Sequence, residues 1–285
     1  MLAAVCYFAA KLPTLSPSEL AALAGRFSFT RFPLPEVSVH PPYKFVRQVH
    51  PSLERISAWV SSPGAAATLA DLDGDGLSND VIYVDPRTDL VTVAPAPGTG
   101  ARYRPFALEM SFWTHNFYER SALAPMGTVA GDFNEDGLID LMVYFWGRTP
   151  VLYLRRAAGS SGTAARQNLA SSPLEKQLSS GAFAPQELVD SGERWFSNTA
   201  TQADLDGDGH VDLLVGNYFQ DGARILDAKA DGTEVMHEGK AKALNGGYKH
   251  LFLWQSGESG LAPTATYREV KNVFREEVAD RKSVV

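Results

Sequence analysis

The stretch Ala203-Asp204-Leu205-Asp206-Gly207-Asp208-Gly209-His210-Val211-Asp212 decides how this chain is read. Counting from Asp204, carboxylates stand at positions 1, 3 and 5, a glycine at 6 and a further acid at 9. A tightly turning loop with this spacing aims alternate side chains inward when a glycine permits the sharp bend. Carboxylates converging at roughly 2.4 Å form the oxygen cage that Ca2+ requires. The unit recurs as Ala70-Asp71-Leu72-Asp73-Gly74-Asp75-Gly76 and as Gly131-Asp132-Phe133-Asn134-Glu135-Asp136-Gly137. The first aspartates are 61 residues apart (71 to 132) and then 72 residues apart (132 to 204). One such stretch is by default a polar turn; three recurrences with nearby closing acids are hard to assign to turn preference alone.

The spacing defines the candidate ligands. In the third loop they are Asp204, Asp206, Asp208, the carbonyl of His210 and Asp212. In the second they are Asp132, Asn134, Asp136, the carbonyl of Leu138 and Asp140. The first offers Asp71, Asp73, Asp75 and the carbonyl of Leu77, but position 9 is Asn79 and Asp80 lies one further on. That loop is either slightly wider and closed by Asp80, or a weaker site. Eleven loop aspartates repel one another without a cation, and three Ca2+ would bring the formal charge from −7 to −1. Bound calcium is therefore expected to stabilise the fold. EF-hands are excluded because their loop ends in a bidentate Glu at position 12 followed by a helix; here that position is Ile82, Val143 or Val215.

Each loop runs into a short β-rich segment: Val81–Val84, Leu141–Phe145 and Leu213–Val215. Val151–Leu154 and Leu251–Trp254 fit further strands bounded by turn residues. The expected fold class is all-β. The long second interval contains Ala157-Ala158-Gly159-Ser160-Ser161-Gly162, read as a loop inserted at one rim. Before the repeats, Ser16-Pro17-Ser18-Glu19 reads as a capping box opening a short helix through Ala24, ended by Gly25. The proline- and aromatic-rich segment Phe27 to Ser52 reads as irregular strands and loop.

With 45% hydrophobic and 21% charged residues, the 285-residue chain is ordinary globular material. A net charge of −7 without a basic cluster argues against nucleic acid, whose phosphates demand grouped Lys and Arg. The single cysteine, Cys6, excludes an intrachain disulfide and is read as a buried thiol rather than a lipid-modified one. Met1 to Lys11 is apolar but too short to span a bilayer alone. With residues up to 26 it forms an N-terminal segment, a possible remnant of a signal or membrane anchor and the one expected link to a membrane. At the other end, residues 280–285 back-translate to GATCGGAAGAGCGTCGTG, the sequence of a common sequencing adapter, and are expected to be an assembly artefact.

Aspartate loops of the form D-x-[DN]-x-D-G-x-x-D followed by a strand, at a period of about sixty residues, resemble the FG-GAP/VCBS repeats of integrin-α-like propellers, including bacterial ASPIC/UnbV-like proteins. The resemblance covers roughly Ala58 to Val273. It implies a β-propeller whose repeats are four-stranded blades, with the calcium loop joining two adjacent strands. Over residues 27–279 that propeller would be incomplete, because three blades do not close a ring.

Enzyme signatures are sparse. The histidines His40, His50, His115, His210, His237 and His250 are scattered without an H-E-x-x-H pair, and neither a G-x-S-x-G elbow nor a P-loop occurs. Phe112-Trp113, Tyr144-Phe145-Trp146, Trp195-Phe196, Tyr218-Phe219 and Trp254 could line a sugar or peptide site, although aromatics in β-repeats more often fill the space between blades. The expectation is a calcium-binding repeat protein that mediates extracytoplasmic protein or glycan binding or scaffolding, with no catalysis. The alternatives are a lyase or glycosidase on the same scaffold, and a purely structural spacer.

Overall fold

The computed structural model describes residues 14–37, 43–110, 120–157, 178–234, 246–271 and 273–274. It divides into two units, Met1–Leu34 and Pro35–Val285. Met1–Lys11 with Cys6, and likewise His40, Phe112, Trp113, His115, Ala158–Gly162, His237 and residues 280–285, lie outside the described residues.

In the first unit the capping box forms as read. The Ser16 amide donates to Glu19 Oε2 at 2.7 Å and the Glu19 amide to Ser16 Oγ at 3.3 Å. Pro17 then starts helix α1, Pro17–Ala24. Gly25 ends it in the right-handed region (φ −63°), so the stop needs no left-handed glycine. None of its residues is buried.

The second unit is predominantly β. Among the described residues, twelve strands form three four-stranded antiparallel sheets, each in chain order. Sheet A holds β1 (Ala67–Ala70), β2 (Asp80–Asp85), β3 (Leu90–Pro95) and β4 (Phe106–Ala107). Sheet B holds β5 (Ala124–Gly131), β6 (Asp140–Trp146), β7 (Val151–Arg155) and β8 (Phe183–Glu187). Sheet C holds β9 (Ser197–Ala203), β10 (Asp212–Asn217), β11 (Lys249–Glu258) and β12 (Thr264–Val270). Every aspartate loop joins the first strand of its sheet to the second. The segment Phe27 to Ser52 differs from the expectation: its described parts contain no strand. Pro51 instead opens a 3-10 turn, Pro51–Ile56, which runs into helix α2, Ser57–Val60. His50 caps that turn by accepting the Ser52 amide on Nδ1 at 3.2 Å.

The period-two geometry of strands explains how the sheets stack. On β6, Leu141, Val143 and Phe145 pack with Ile82, Val84, Val91 and Val93 of sheet A. Met142, on the opposite face, joins Leu152, Leu154, Leu213, Val215 and Phe252 between sheets B and C. Sheet B is covered on both faces, which is why β6 reads as an unbroken apolar run. Each fully buried aliphatic side chain contributes about 1.5–3 kcal/mol, so these two layers supply much of the fold's stability. A third cluster joins Leu53 and Val60 to Trp146, Phe196 and Phe219, with Trp146 edge-on to Phe219 at 5.2 Å.

The first strands lie side by side, β1 against β5 and β5 against β9. They are tied by Thr68 Oγ1 donating to the Thr128 carbonyl at 3.0 Å and Gln202 Nε2 donating to the Ala130 carbonyl at 2.7 Å. Gly131 leaves room here for the Gln202 carboxamide, which a Cβ would displace.

Candidate functional site

All three loops share one internal geometry, set by side chains that accept backbone N–H groups. The aspartate at position 1 takes the amide of the glycine at position 6: Gly76 to Asp71 and Gly137 to Asp132 at 2.8 Å, and Gly209 to Asp204 at 3.1 Å. The aspartate at position 5 takes the amide of position 7: Leu77 to Asp75 at 2.9 Å, Leu138 to Asp136 at 3.0 Å and His210 to Asp208 at 2.9 Å. The position-6 glycines all have positive φ, 86°, 86° and 93° for Gly76, Gly137 and Gly209. This is the sharp turn the spacing demanded. Position 4 is also left-handed, and there the second loop places Glu135 (φ 57°) where the others have glycine.

The closing acids resolve the uncertain register of the first loop. Asp80, Asp140 and Asp212 are each the first residue of their sheet's second strand, and each is fully buried. Each accepts the amide of the residue at loop position 2 on Oδ2: Leu72 at 2.6 Å, Phe133 at 2.9 Å and Leu205 at 2.9 Å. Asp80 is thus the counterpart of Asp140 and Asp212, and the first loop is one residue longer. On the other oxygen, Asp140 accepts the Arg155 amide at 2.6 Å and Asp212 the Trp254 amide at 2.9 Å. These acids staple the loop to the third strand of the sheet. Burial pushes the Asp140 carboxyl up to about 7; the two backbone donors pull it down, and Asp136 and Asp132 add to the rise.

No protein-family model matches the chain, and no curated protein matches it.

The loops therefore have to be judged on their own donor chemistry. In the third, Asp204, Asp206 and Asp208 each bring a carboxylate oxygen within 4.8 Å of the other two, all exposed. In the second, Asn134 is 3% exposed and its Oδ1 has no hydrogen-bond partner. Its Nδ2 donates to the Glu258 carbonyl at 3.0 Å and to Asp136 at 3.2 Å, while Trp254 and Tyr267 of sheet C donate to the Phe133 carbonyl. A buried carbonyl oxygen without a donor costs about 1–3 kcal/mol. An all-oxygen set of this kind suits Ca2+ or Mg2+ and not the softer metals. In the first loop Asp71, Asp73 and Asp80 also converge within 4.8 Å. There, however, the side chain of Arg102 lies against Asp73, Asp75 and Asp80.

Three features escaped the sequence reading. Arg102 and Tyr103 reach Asp80 from the β3–β4 connection with no local motif to mark them. His210 bridges two loops, with Nδ1 2.9 Å from Glu135 and its ring stacked on Trp254 at 4.2 Å. The hydrogen bond to Glu135 holds its pKa above the ordinary histidine value. His250, 7% exposed, stacks on Trp195 at 3.7 Å, with Nε2 2.9 Å from Asp221 and Nδ1 2.7 Å from Glu269. The described aromatics of the tempting pairs are mostly core: Phe145, Trp146, Trp195, Phe196 and Phe219 are all 2% exposed or less.

Proposed function

We propose that this chain is a calcium-binding β-repeat protein, part of an FG-GAP/VCBS-type β-propeller, that serves protein or glycan binding outside the cytoplasm without catalysis. The observation that carries the reading is the threefold recurrence of one loop at one place in a four-stranded sheet. Its carboxylates are held inward by backbone N–H groups, and in the second loop a buried Asn134 oxygen lacks a donor. The half-buried apolar row Leu214, Leu251 and Val270 on the outer face of sheet C suits a further sheet packing beyond it, as an open propeller requires. Millimolar Ca2+ outside the cell saturates sites with dissociation constants of about 10⁻⁴ M, whereas cytosolic Ca2+ leaves such sites empty.

The test is to immobilise the chain and screen it against glycan and protein arrays in millimolar Ca2+ and in EDTA, assaying each bound glycan for cleavage. The reading expects calcium-dependent retention without turnover. Retention that ignores EDTA would sink the calcium role, and released sugar ends would establish an enzyme instead.

A further inference from the structure

The first loop already contains a cation. Arg102 Nη1 contacts Asp73 and lies 3.3 Å from Asp75 Oδ2, while Nη2 donates to Asp80 Oδ1 at 2.6 Å and to the Asn79 carbonyl at 2.8 Å. The side chain is only 18% exposed. A guanidinium is positive at every accessible pH.

We propose that Arg102 is the resident cation of the first loop, so that this loop takes no calcium and the chain binds two Ca2+ rather than three. The inference rests on reading the second and third loops as calcium sites. Lone-pair accounting supports it. An ionised carboxylate offers about four acceptor positions, and Asp80 fills them with the amides of Leu72 (2.6 Å) and Asp73 (3.1 Å), Arg102 Nη2 and the Tyr103 hydroxyl (2.9 Å). Asp140 and Asp212 each accept two backbone amides and no guanidinium.

Two further groups of the first loop are engaged as well. The Leu77 carbonyl, the position-7 ligand, accepts the Asn79 amide at 2.8 Å. Asn79, the residue before the closing acid, donates from Nδ2 to Asp75 at 3.0 Å, while its buried Oδ1 has no partner. For Ca2+ to enter, a guanidinium tethered to the same chain would have to leave four acceptors at once. The extra residue that carries Asp80 one place further along turns a metal loop into one neutralised from within. Sheet A then keeps its loop ordered without metal, and calcium acts on sheets B and C.

The experiment counts Ca2+ bound to the full chain by equilibrium dialysis with calcium-45, with circular dichroism to verify the fold. Wild type should bind two ions, Arg102→Gln three, and Asp71→Asn still two. Three ions on wild type, or an unchanged count in a folded Arg102→Gln, would overturn the proposal. If Arg102→Gln does not fold, Asp71→Asn decides: an unchanged count upholds it, and a loss of one ion refutes it. Zero ions on wild type would instead sink the calcium reading of the second and third loops. Arg102→Gln rising from zero to one would still uphold the role of Arg102, and remaining at zero would overturn that too.

Discussion

Asp80, Asp140 and Asp212 do two things that ordinary surface aspartates do not. They are fully buried, and they hold a loop amide with one oxygen while the other reaches a neighbouring segment of the same sheet. They are structural staples with or without a metal. Asp212→Ala should strand the amides of Leu205 and Trp254, at about 1–3 kcal/mol for each buried donor left unmade, in EDTA and in Ca2+ alike. Asp206→Asn touches an exposed ligand position and should lower calcium affinity while leaving stability in EDTA unchanged within about 0.5 kcal/mol. Urea unfolding of both variants, with and without Ca2+, separates the roles; equal losses in EDTA would show that Asp206 is a structural residue too. The sequence marked Asp140 and Asp212 through their place in the repeat, and it left Asp80 and Asn79 as alternatives. Spacing alone could not register the one-residue expansion, because a strand's first residue is fixed by pairing, here Asp80 opposite Ala70. Arg102 was invisible for a different reason: its partners are 22 to 29 residues away in sequence.

At the scale of elements, the second strand of each sheet was legible because it combines β-branched and aromatic residues with a defining loop before it. The first strands were not. Ser197-Asn198-Thr199-Ala200-Thr201-Gln202-Ala203 forms β9 with small and polar residues, several of them exposed. Strands that run closely side by side need small side chains and hydrogen bonds across the gap, so the apolar alternation that marks ordinary strands is absent. β4, at two residues, is too short for any pattern.

The β10–β11 region carries the clearest pH dependence. Burial alone would lower the pKa of His250, but its hydrogen bonds to Asp221 and Glu269 outweigh that and hold it above the ordinary value. Lys271 also contacts Glu269, and Asn217 Nδ2 approaches both His250 and Asp221. A histidine whose folded pKa is raised contributes stability that is full below its unfolded value of about 6.5 and fades as pH climbs through the folded value. The melting midpoint of wild type should therefore exceed that of His250→Gln most below pH 6.5, with the gap closing as pH rises above it. A gap that stays constant from pH 5 to 9 would mean that the ring acts by packing on Trp195 alone.

For the whole molecule, three sheets stacked through two apolar layers place every aspartate loop at the junction of a first and a second strand. The repeat predicts this common placement, because each copy of the pattern meets the same bend. What the sequence could not supply is the neighbour of each loop. The second lies under Trp254, Tyr267 and the end of β11 in sheet C, where a Cβ on Gly257 would strike the Asn134 carbonyl at 2.1 Å. The third is exposed, and the first is closed by Arg102. One repeated sequence thus acquires three environments.

The most direct test is thermal unfolding of the chain in EDTA, in millimolar Ca2+ and in millimolar Mg2+. Two sites with dissociation constants near 10⁻⁴ M would each add about 1.5 kcal/mol. For a chain of this size that predicts a calcium-specific rise in midpoint of roughly 6–12 °C. A cooperatively folded sample whose midpoint does not move, or moves equally with Mg2+, would contradict the account and leave the loops as self-bonded acidic turns.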